Sequence, residues 1–346
     1  MLGDWPTPID TIEIDGRPIW IKREGDSSAR YGGNKIRTLE AWLGHTRASG
    51  AHRIWAIGAY GSNHAVATVL HARAIGLDAG AIVFPQPHSE WAHENAGALV
   101  ATGCEIVRLH HVIEVPFAAL AIARRDRGSI MMPPGGATPI GTFGALSAAF
   151  ELAEQVAAGL APPPRRIVVP IGSTCTAAGL VAGLALAHAI GAWRWPVPIV
   201  HAVRVTPWPV TSRLRTAELA ARTLARVAAL GGPRPPIHFL ELVSRLVVDG
   251  RELGAGYGRP TPAALAALAE LGELAGAPRL DIIYSAKTAA ALLRLHRSQP
   301  TNHRVEPLLF WSTKSTARLP PPSLDALRAA PRALRHWLGT LSTSST

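Results

Sequence analysis

Strand-length apolar runs alternate along this chain with longer segments rich in alanine and leucine, and glycine- or hydroxyl-rich joints separate them. Arg53 to Ile57 reads as a strand, Gly58 to Asn63 as a loop and His64 to Ile75 as a helix. Strand Ala79 to Phe84, helix Glu90 to Ala101, strand Glu105 to Leu109, helix Val115 to Arg125 and a short strand Ile130 to Met132 continue the series. The turn Gly135-Gly136-Ala137-Thr138-Pro139 precedes a helix expected near Gly144 to Ala157, and Ala161-Pro162-Pro163-Pro164 reads as a linker. A second series follows, with strand Ile167 to Ile171, a Gly-rich loop and helix Ala177 to Ile190. Further strands are expected at Ile199 to Val203, Ile282-Ile283-Tyr284 and Leu308 to Trp311. Strands joined through helices pair in parallel, because each crossover returns the chain to the same end of the sheet. The alternation therefore predicts an α/β fold with parallel sheets flanked by helices.

At 346 residues the chain has room for two domains, or one large α/β domain. A hydrophobic content of 48% excludes a disordered chain, and two cysteines exclude a disulfide scaffold or a multi-cysteine zinc module. The net charge of +11 raises the question of nucleic acid. The basic residues are scattered, in nothing denser than pairs such as Arg124–Arg125, so no nucleic-acid partner is expected, while a small anionic ligand suits the charge. Ala177 to Ala192 is apolar for almost a membrane-spanning length, but it is rich in Ala and Gly and holds His188. It reads as a buried helix, and no membrane partner is expected. Met1 to Asp15 has no basic run of the secretory kind, so the expected compartment is cytoplasmic. The histidines form no H-E-x-x-H pattern, and no metal is expected.

Lysine occurs only at Lys22, Lys35, Lys287 and Lys314. Arginine can replace lysine wherever charge alone is needed, but it cannot serve as a nucleophilic amine. These four residues are the whole field for amine chemistry. Lys35 follows Gly32-Gly33-Asn34 and opens an apolar helical stretch. An amine at a helix N-terminus sits beside positive partial charge, which favours the neutral nucleophile that Schiff-base chemistry requires. The plain alternative is an ordinary turn with a surface lysine.

Gly58 to His64 brings hydroxyl, amide and backbone N–H groups to a helix start, a nest for a carboxylate or ring oxyanion, or else a structural N-cap at Ser62 or Asn63. Gly172-Ser173-Thr174-Cys175-Thr176 joins a strand to a helix with small and hydroxylated residues, which suits a phosphate without a Walker lysine. Cys175 reads as a small loop residue, because no His/Asn partnership marks it as a nucleophile. Tyr284 ends an expected strand, where α/β sheets place reactive groups, and the alternative is a core tyrosine.

Gly32-Gly33-Asn34-Lys35-x-Arg37-x-Leu39-Glu40, Ser62-Asn63-His64, Gly135-Gly136-x-x-Pro139-x-Gly141-x-x-Gly144, Gly254-x-Gly256-Tyr257-Gly258-x-x-Thr261 and Tyr284-x-x-Lys287 occur in that order. Together they resemble the 1-aminocyclopropane-1-carboxylate deaminase / D-cysteine desulfhydrase family, from about Trp20 to Thr313. The resemblance implies a two-domain pyridoxal 5'-phosphate (PLP) fold of type II, the tryptophan-synthase-β fold. A small domain of residues 46–148 would sit in a large one made of 1–45 and 149–346, with the cofactor between them, in a homodimer. Lys35 would carry the cofactor, Asn63 would meet its ring oxygen, and Gly172, Ser173, Thr174, Cys175 and Thr176 would bind its phosphate. Ser62 would hold the substrate carboxylate or assist proton transfer, Tyr284 would face the substrate, and Thr313, or else Ser285, would meet the pyridine nitrogen.

The implied activity is α,β-elimination from a small amino acid, giving ammonia and a 2-oxo acid in the manner of D-cysteine desulfhydrase. Aminocyclopropane-carboxylate deamination, β-replacement and a catalytically silent binding protein are the alternatives. Four segments depart from the family pattern. Ser312-Thr313-Lys314-Ser315 stands where the family has His-Thr-Gly-Gly, Ala286 replaces a glycine, Ser285 replaces the deaminase's glutamate, and the phosphate loop lacks the glycine usual near Cys175. An ammonium at Lys314 would attract an anionic substrate group if it lined the cofactor edge, and would do nothing if it pointed to solvent.

Overall fold

The computed structural model describes residues 1–300 and 306–339. Its strands are β1 Ile9–Ile14, β2 Arg17–Arg23, β3 Arg53–Ala59, β4 Asp78–Phe84, β5 Glu105–Arg108, β6 Ser129–Met131, β7 Arg166–Ile171, β8 Ile199–Arg204, β9 Leu246–Asp249 and β10 Leu308–Ser312. They form a six-stranded sheet, β1-β2-β10-β7-β8-β9, and a four-stranded sheet, β5-β4-β3-β6. Every pairing is parallel except the β1–β2 hairpin, which turns on Asp15 and Gly16, both with positive φ.

The chain divides into two compact units. One holds Met1, residues 3–38 and residues 137–316, with the six-stranded sheet. Alternate residues of its strands enter opposite cores. Ile167, Val169, Leu309 and Trp311 pack in one, with Leu152, Leu180 and Leu184, while Val168, Leu308 and Phe310 pack in the other, with Ile19, Ile21 and Leu292. Full burial of each such side chain contributes about 1.5–3 kcal/mol. The apolar stretch near Ala177 lies in helix Cys175–Ala189, whose residues from Cys175 to Ala187 are all buried. Among the described residues no helix is long and apolar enough to cross a membrane.

In this sheet the chain runs outward from β7 through β8 to β9 on one side, while β10 and β2 lie on the other. The carboxyl ends of β7 and β10 therefore flank a topological switch point, the place where open α/β sheets bind ligands.

The other unit holds Leu2, residues 39–136 and residues 317–339, with the four-stranded sheet. Trp55, Ile57, Ile82, Leu109 and Ile122 form its core. This grouping runs from 39 to 136 where 46–148 was expected, and it takes in the C-terminal segment expected in the large domain. Trp337 supplies the reason. Its indole stacks on His88 and His93, with ring centroids 4.7 and 4.3 Å away, and donates to the Gln86 carbonyl at 3.2 Å.

Ile282-Ile283-Tyr284 is a turn and not the expected strand. The Asp281 carboxylate accepts from the Ile283 and Tyr284 amides at 2.9 and 2.7 Å, which curls the segment into the start of helix Ser285–Arg297. The helix expected from Gly144 begins earlier, at Pro139, because Thr138 caps it and proline suits its first turn. Strands β1, β2 and β9 were not anticipated.

Candidate active site

Lys35 is the first residue of helix Lys35–Ala48. The turn before it is pressed against the end of β10. A Cβ on Gly33, whose φ is +96°, would lie 2.5 Å from the Thr313 carbonyl oxygen, and the Gly32 amide donates to Ser315 Oγ at 2.9 Å. Two side-chain contacts stitch the same turn to the loop after β7. Asn34 Nδ2 donates to Thr176 Oγ1 at 2.7 Å, and Thr38 Oγ1 lies 3.7 Å from Cys175 Sγ. Lys35 and the Gly172–Thr176 loop are thus neighbours, and Thr313 stands against the same turn.

The other three lysines are committed elsewhere. Lys22 is paired with Glu151 and donates to Gln155 Oε1 and the Thr7 carbonyl. Lys287 donates to the carbonyls of Leu253 and Gly256 at 2.9 and 3.2 Å. Lys314 is buried, 3% exposed, with its ammonium 6.0 Å from the centre of the Tyr31 ring, so the solvent-facing alternative does not hold. Lys35 Nζ makes no side-chain hydrogen bond or ion pair among the described residues. Burial pushes its ammonium below the ordinary lysine value, and the Cys175 thiol beside it offsets only part of that effect. The result is an amine biased toward its neutral, nucleophilic form.

Thr174 has φ +72°, uncommon for a residue with a side chain, and is the N-cap of helix Cys175–Ala189. The first-turn amides of a helix lack intrahelical partners, so this turn presents N–H donors and positive partial charge to an anion. Gly172 leaves room beside them, since a Cβ there would lie 3.0 Å from Tyr284 Cε1. Cys175 is fully buried, and burial pushes its thiol up, so it is poorly suited to be a thiolate nucleophile.

Tyr284 is the N-cap of helix Ser285–Arg297, and its hydroxyl lies 3.0 Å from that of Tyr257. Burial raises Tyr284 well above the ordinary phenol value, with further contributions from Tyr257, Asp281 and Tyr31, and it also raises Tyr257. Tyr284 is therefore a neutral O–H donor across the physiological range. Tyr257 and Tyr31 were not among the expected site residues. The sequence signal was present in Gly254-x-Gly256-Tyr257-Gly258 and in the tyrosine just before Gly32-Gly33. Ser285 sits fully buried in the helix cap, where its hydroxyl accepts from the Asp281 amide at 2.6 Å and donates to the Asp281 carboxylate at 3.0 Å. Of the two hydroxyls considered for the pyridine nitrogen, that of Ser285 is already engaged with Asp281.

In the second unit, Ser62 is the N-cap of helix Asn63–Ala74 and accepts from the Ala65 amide at 3.3 Å, which leaves its own proton available to donate. Asn63 Oδ1 accepts from Asn95 Nδ2 at 2.8 Å, and that amide also donates to the Gly61 carbonyl at 3.0 Å. The Asn63 side chain is oriented by this pair. No group of three His, Cys, Asp or Glu able to hold a metal occurs among the described residues.

A partly desolvated lysine amine, a helix N-terminus on a parallel sheet and a neutral hydroxyl at the end of the neighbouring strand define the class, a PLP-binding α/β enzyme. The family model for pyridoxal-phosphate dependent enzymes matches residues 1–305, and the chain belongs to that family. A "Nocardicin C-9' epimerase" of Nocardia uniformis subsp. tsuyamanensis is 35% identical over 321 residues, covering 90% of each chain. A "D-cysteine desulfhydrase" of Salmonella paratyphi C is 29% identical over 303 residues, covering 83% of this chain and 85% of the relative. A crystal structure described as an ACC deaminase homologue superposes with a TM-score of 0.71 at 28% identity, covering 92% of each chain. The fold is that of PLP enzymes of type II, and the cofactor is pyridoxal 5'-phosphate. The residues present fit it. The turn at Gly172–Thr176 is a cradle that a Cβ at Gly172 would crowd, and the adjoining Lys35 amine has no side-chain hydrogen bond or ion pair among the described residues.

Proposed function

We propose that this protein is a PLP-dependent lyase that removes a β-substituent and the amino group from a small amino acid, as a D-cysteine desulfhydrase does. One water is consumed, and the products are ammonia, a 2-oxo acid and the protonated β-substituent. The observation that carries the reading is the isolation of Lys35, alone among four lysines, beside a phosphate-type helix N-terminus. When bound, PLP supplies an electron sink for bonds broken at the substrate's α-carbon. The chain's own groups do the rest. The Lys35 amine holds the cofactor and takes the α-proton. The Gly172–Thr176 amides hold the phosphate. The Tyr284 hydroxyl, kept neutral by burial, donates a proton to the departing group. By the family resemblance, Ser62 would offer its hydroxyl to the substrate carboxylate, and Asn63, oriented by Asn95, would meet the cofactor ring oxygen. The neutral Thr313 hydroxyl at the pyridine nitrogen supplies no charge to hold that nitrogen protonated, which favours rapid elimination. The reading extends to a homodimer, on the strength of the family resemblance.

A second reading has its own support. The relative that matches 90% of the chain at 35% identity is named an epimerase. Inversion at the α-carbon begins with the same proton removal and ends with return of a proton from the other side, for which a neutral tyrosine is a suitable donor. One experiment separates the two. PLP-loaded protein is incubated in D2O with D-cysteine, other β-substituted amino acids and aminocyclopropane carboxylate. Ammonia and 2-oxo acid establish the lyase. Deuterium at the α-carbon of recovered, inverted amino acid without ammonia establishes the epimerase. Neither product from any of these compounds contradicts the proposed activity.

A further inference from the structure

The loop Gly254–Gly258 has little backbone stiffness of its own. Its three glycines take φ of +60°, +115° and +77°, and a Cβ on Gly256 would meet nothing within 4 Å. Such a loop holds one shape only when something outside it fixes its carbonyls. That something is Lys287. The side chain is fully buried, and its ammonium donates to the Leu253 carbonyl at 2.9 Å and the Gly256 carbonyl at 3.2 Å. Tyr257 is the next residue, and its hydroxyl lies 3.0 Å from that of Tyr284, with the two rings edge to face at 6.0 Å. Lys287 stands one helical turn beyond Tyr284 on helix Ser285–Arg297, so the lysine joins the two tyrosine-bearing segments directly.

The tie is itself anchored. The Glu252 charge acts on Lys287, and Glu252 Oε1 lies 3.7 Å from Arg294 Nε on the same helix. Arg294 also pairs with Asp249 at 2.6 Å, and Asp249 with His201 at 3.0 Å. A ladder of polar and charged groups thus runs from β8 and the end of β9 toward the glycine loop.

We infer that Lys287 is a positioning residue. By tying the Gly254–Gly258 loop to the helix that carries Tyr284, it sets the Tyr257 and Tyr284 hydroxyls against each other. Each phenol can donate one proton. When Tyr257 donates to the Tyr284 oxygen, the Tyr284 proton is left to point elsewhere, toward the reacting groups. When the loop slips, Tyr284 loses that partner and its direction. This role rests on the proposed chemistry only in using Tyr284 as the proton donor, and it serves elimination and inversion alike.

The test uses Lys287→Met, Tyr257→Phe and the double variant, all PLP-loaded. With four tyrosines in the chain, phenolate absorbance can be followed through an alkaline titration. In the parent, the buried Tyr257 and Tyr284 titrate above the ordinary phenol range. In Lys287→Met both should move down toward it while cofactor loading is kept. Turnover, on whichever amino acid proves active, should fall roughly ten- to a hundredfold in kcat with KM nearly unchanged, the scale of a misplaced catalytic group. In the Tyr257→Phe background the same substitution should cost less than about twofold, because the group it positions is gone. Should Lys287→Met fail to fold, Lys287→Gln carries the same readouts. An unchanged tyrosine titration overturns the inference, and so does an equal loss with and without the Tyr257 hydroxyl. The titration needs no substrate, so it decides the matter even if the lyase reading fails.

Discussion

Replacing Arg37 with methionine tests the charge cluster beneath the Lys35 turn. Arg37 is 4% exposed and grips Glu24 through two hydrogen bonds, Nε to Oε2 at 2.7 Å and Nη2 to Oε1 at 2.8 Å. Nη2 also reaches Glu151 at 2.9 Å, and the guanidinium lies 3.8 Å from the centre of the Trp5 ring. With Lys22, the cluster holds two positive and two negative side chains and is neutral. Arg37→Met keeps the volume and leaves one negative charge uncompensated among buried groups. Removing one partner of a buried pair costs about 3–5 kcal/mol, and the upper part of that range applies because Glu24 is fully buried. The pH dependence should change sign as well. In the parent, burial alone would raise the Glu151 carboxyl, but its hydrogen bond and charge contacts with Arg37, and those with Lys22, hold it below the ordinary value. Its contribution is therefore present above the unfolded value near about 4.3 and is lost as pH falls through the lower folded value. Without Arg37, burial dominates, the folded value moves above the unfolded one, and protonation favours the folded state. Urea denaturation across a pH series is the assay. Relative to the parent, the variant should gain stability between ~pH 7 and ~pH 5. A loss under 1 kcal/mol, or parallel pH curves, would refute the reasoning.

Three further outcomes are expected. Gly33→Ala should cost about 2–4 kcal/mol, from a positive φ and a Cβ driven to 2.5 Å from the Thr313 carbonyl, and should loosen PLP as Thr313 shifts; a denaturation midpoint and cofactor absorbance matching the parent would count against the backbone contact. Thr174→Asp should weaken PLP severalfold in equilibrium titration, because a carboxylate would share the helix N-terminus with the phosphate, and unchanged affinity would place the phosphate elsewhere. Burial, with the charge of His88, lowers His93 to about 4, so the neutral ring is the folded form. Stability should therefore fall as pH drops below about 6.5 toward the folded value, and His93→Gln should flatten that slope.

The parallel sheets were readable because β3, β4, β7 and β8 are continuous apolar runs between long helical segments, and each falls within a residue or two of its expected place. What escaped notice was set by side chains rather than by periodicity. Ile282-Ile283-Tyr284 has the composition of a strand, but the Asp281 carboxylate satisfies its amides locally and no sheet edge is needed. The β1–β2 hairpin carried its own sign in Asp15-Gly16, a pair suited to two positive φ values, within a stretch otherwise notable for its prolines. At the site, Lys35 stood out because lysine is scarce, and Gly172 to Thr176 because a glycine-rich loop joins strand to helix. Tyr257 did not stand out, since its partner lies 27 residues away and only tertiary folding brings the two hydroxyls together. The direction of Lys314 was likewise illegible, because burial beside Tyr31 depends on how the segment after β10 lies against the glycine turn.

The most direct test is where the cofactor attaches. PLP-loaded protein is reduced with borohydride, digested, and its peptides are sequenced by mass spectrometry. The account predicts a single pyridoxyl group, on the peptide that contains Lys35, and its loss in Lys35→Ala. A pyridoxyl group on Lys22, Lys287 or Lys314 in the folded protein would contradict it.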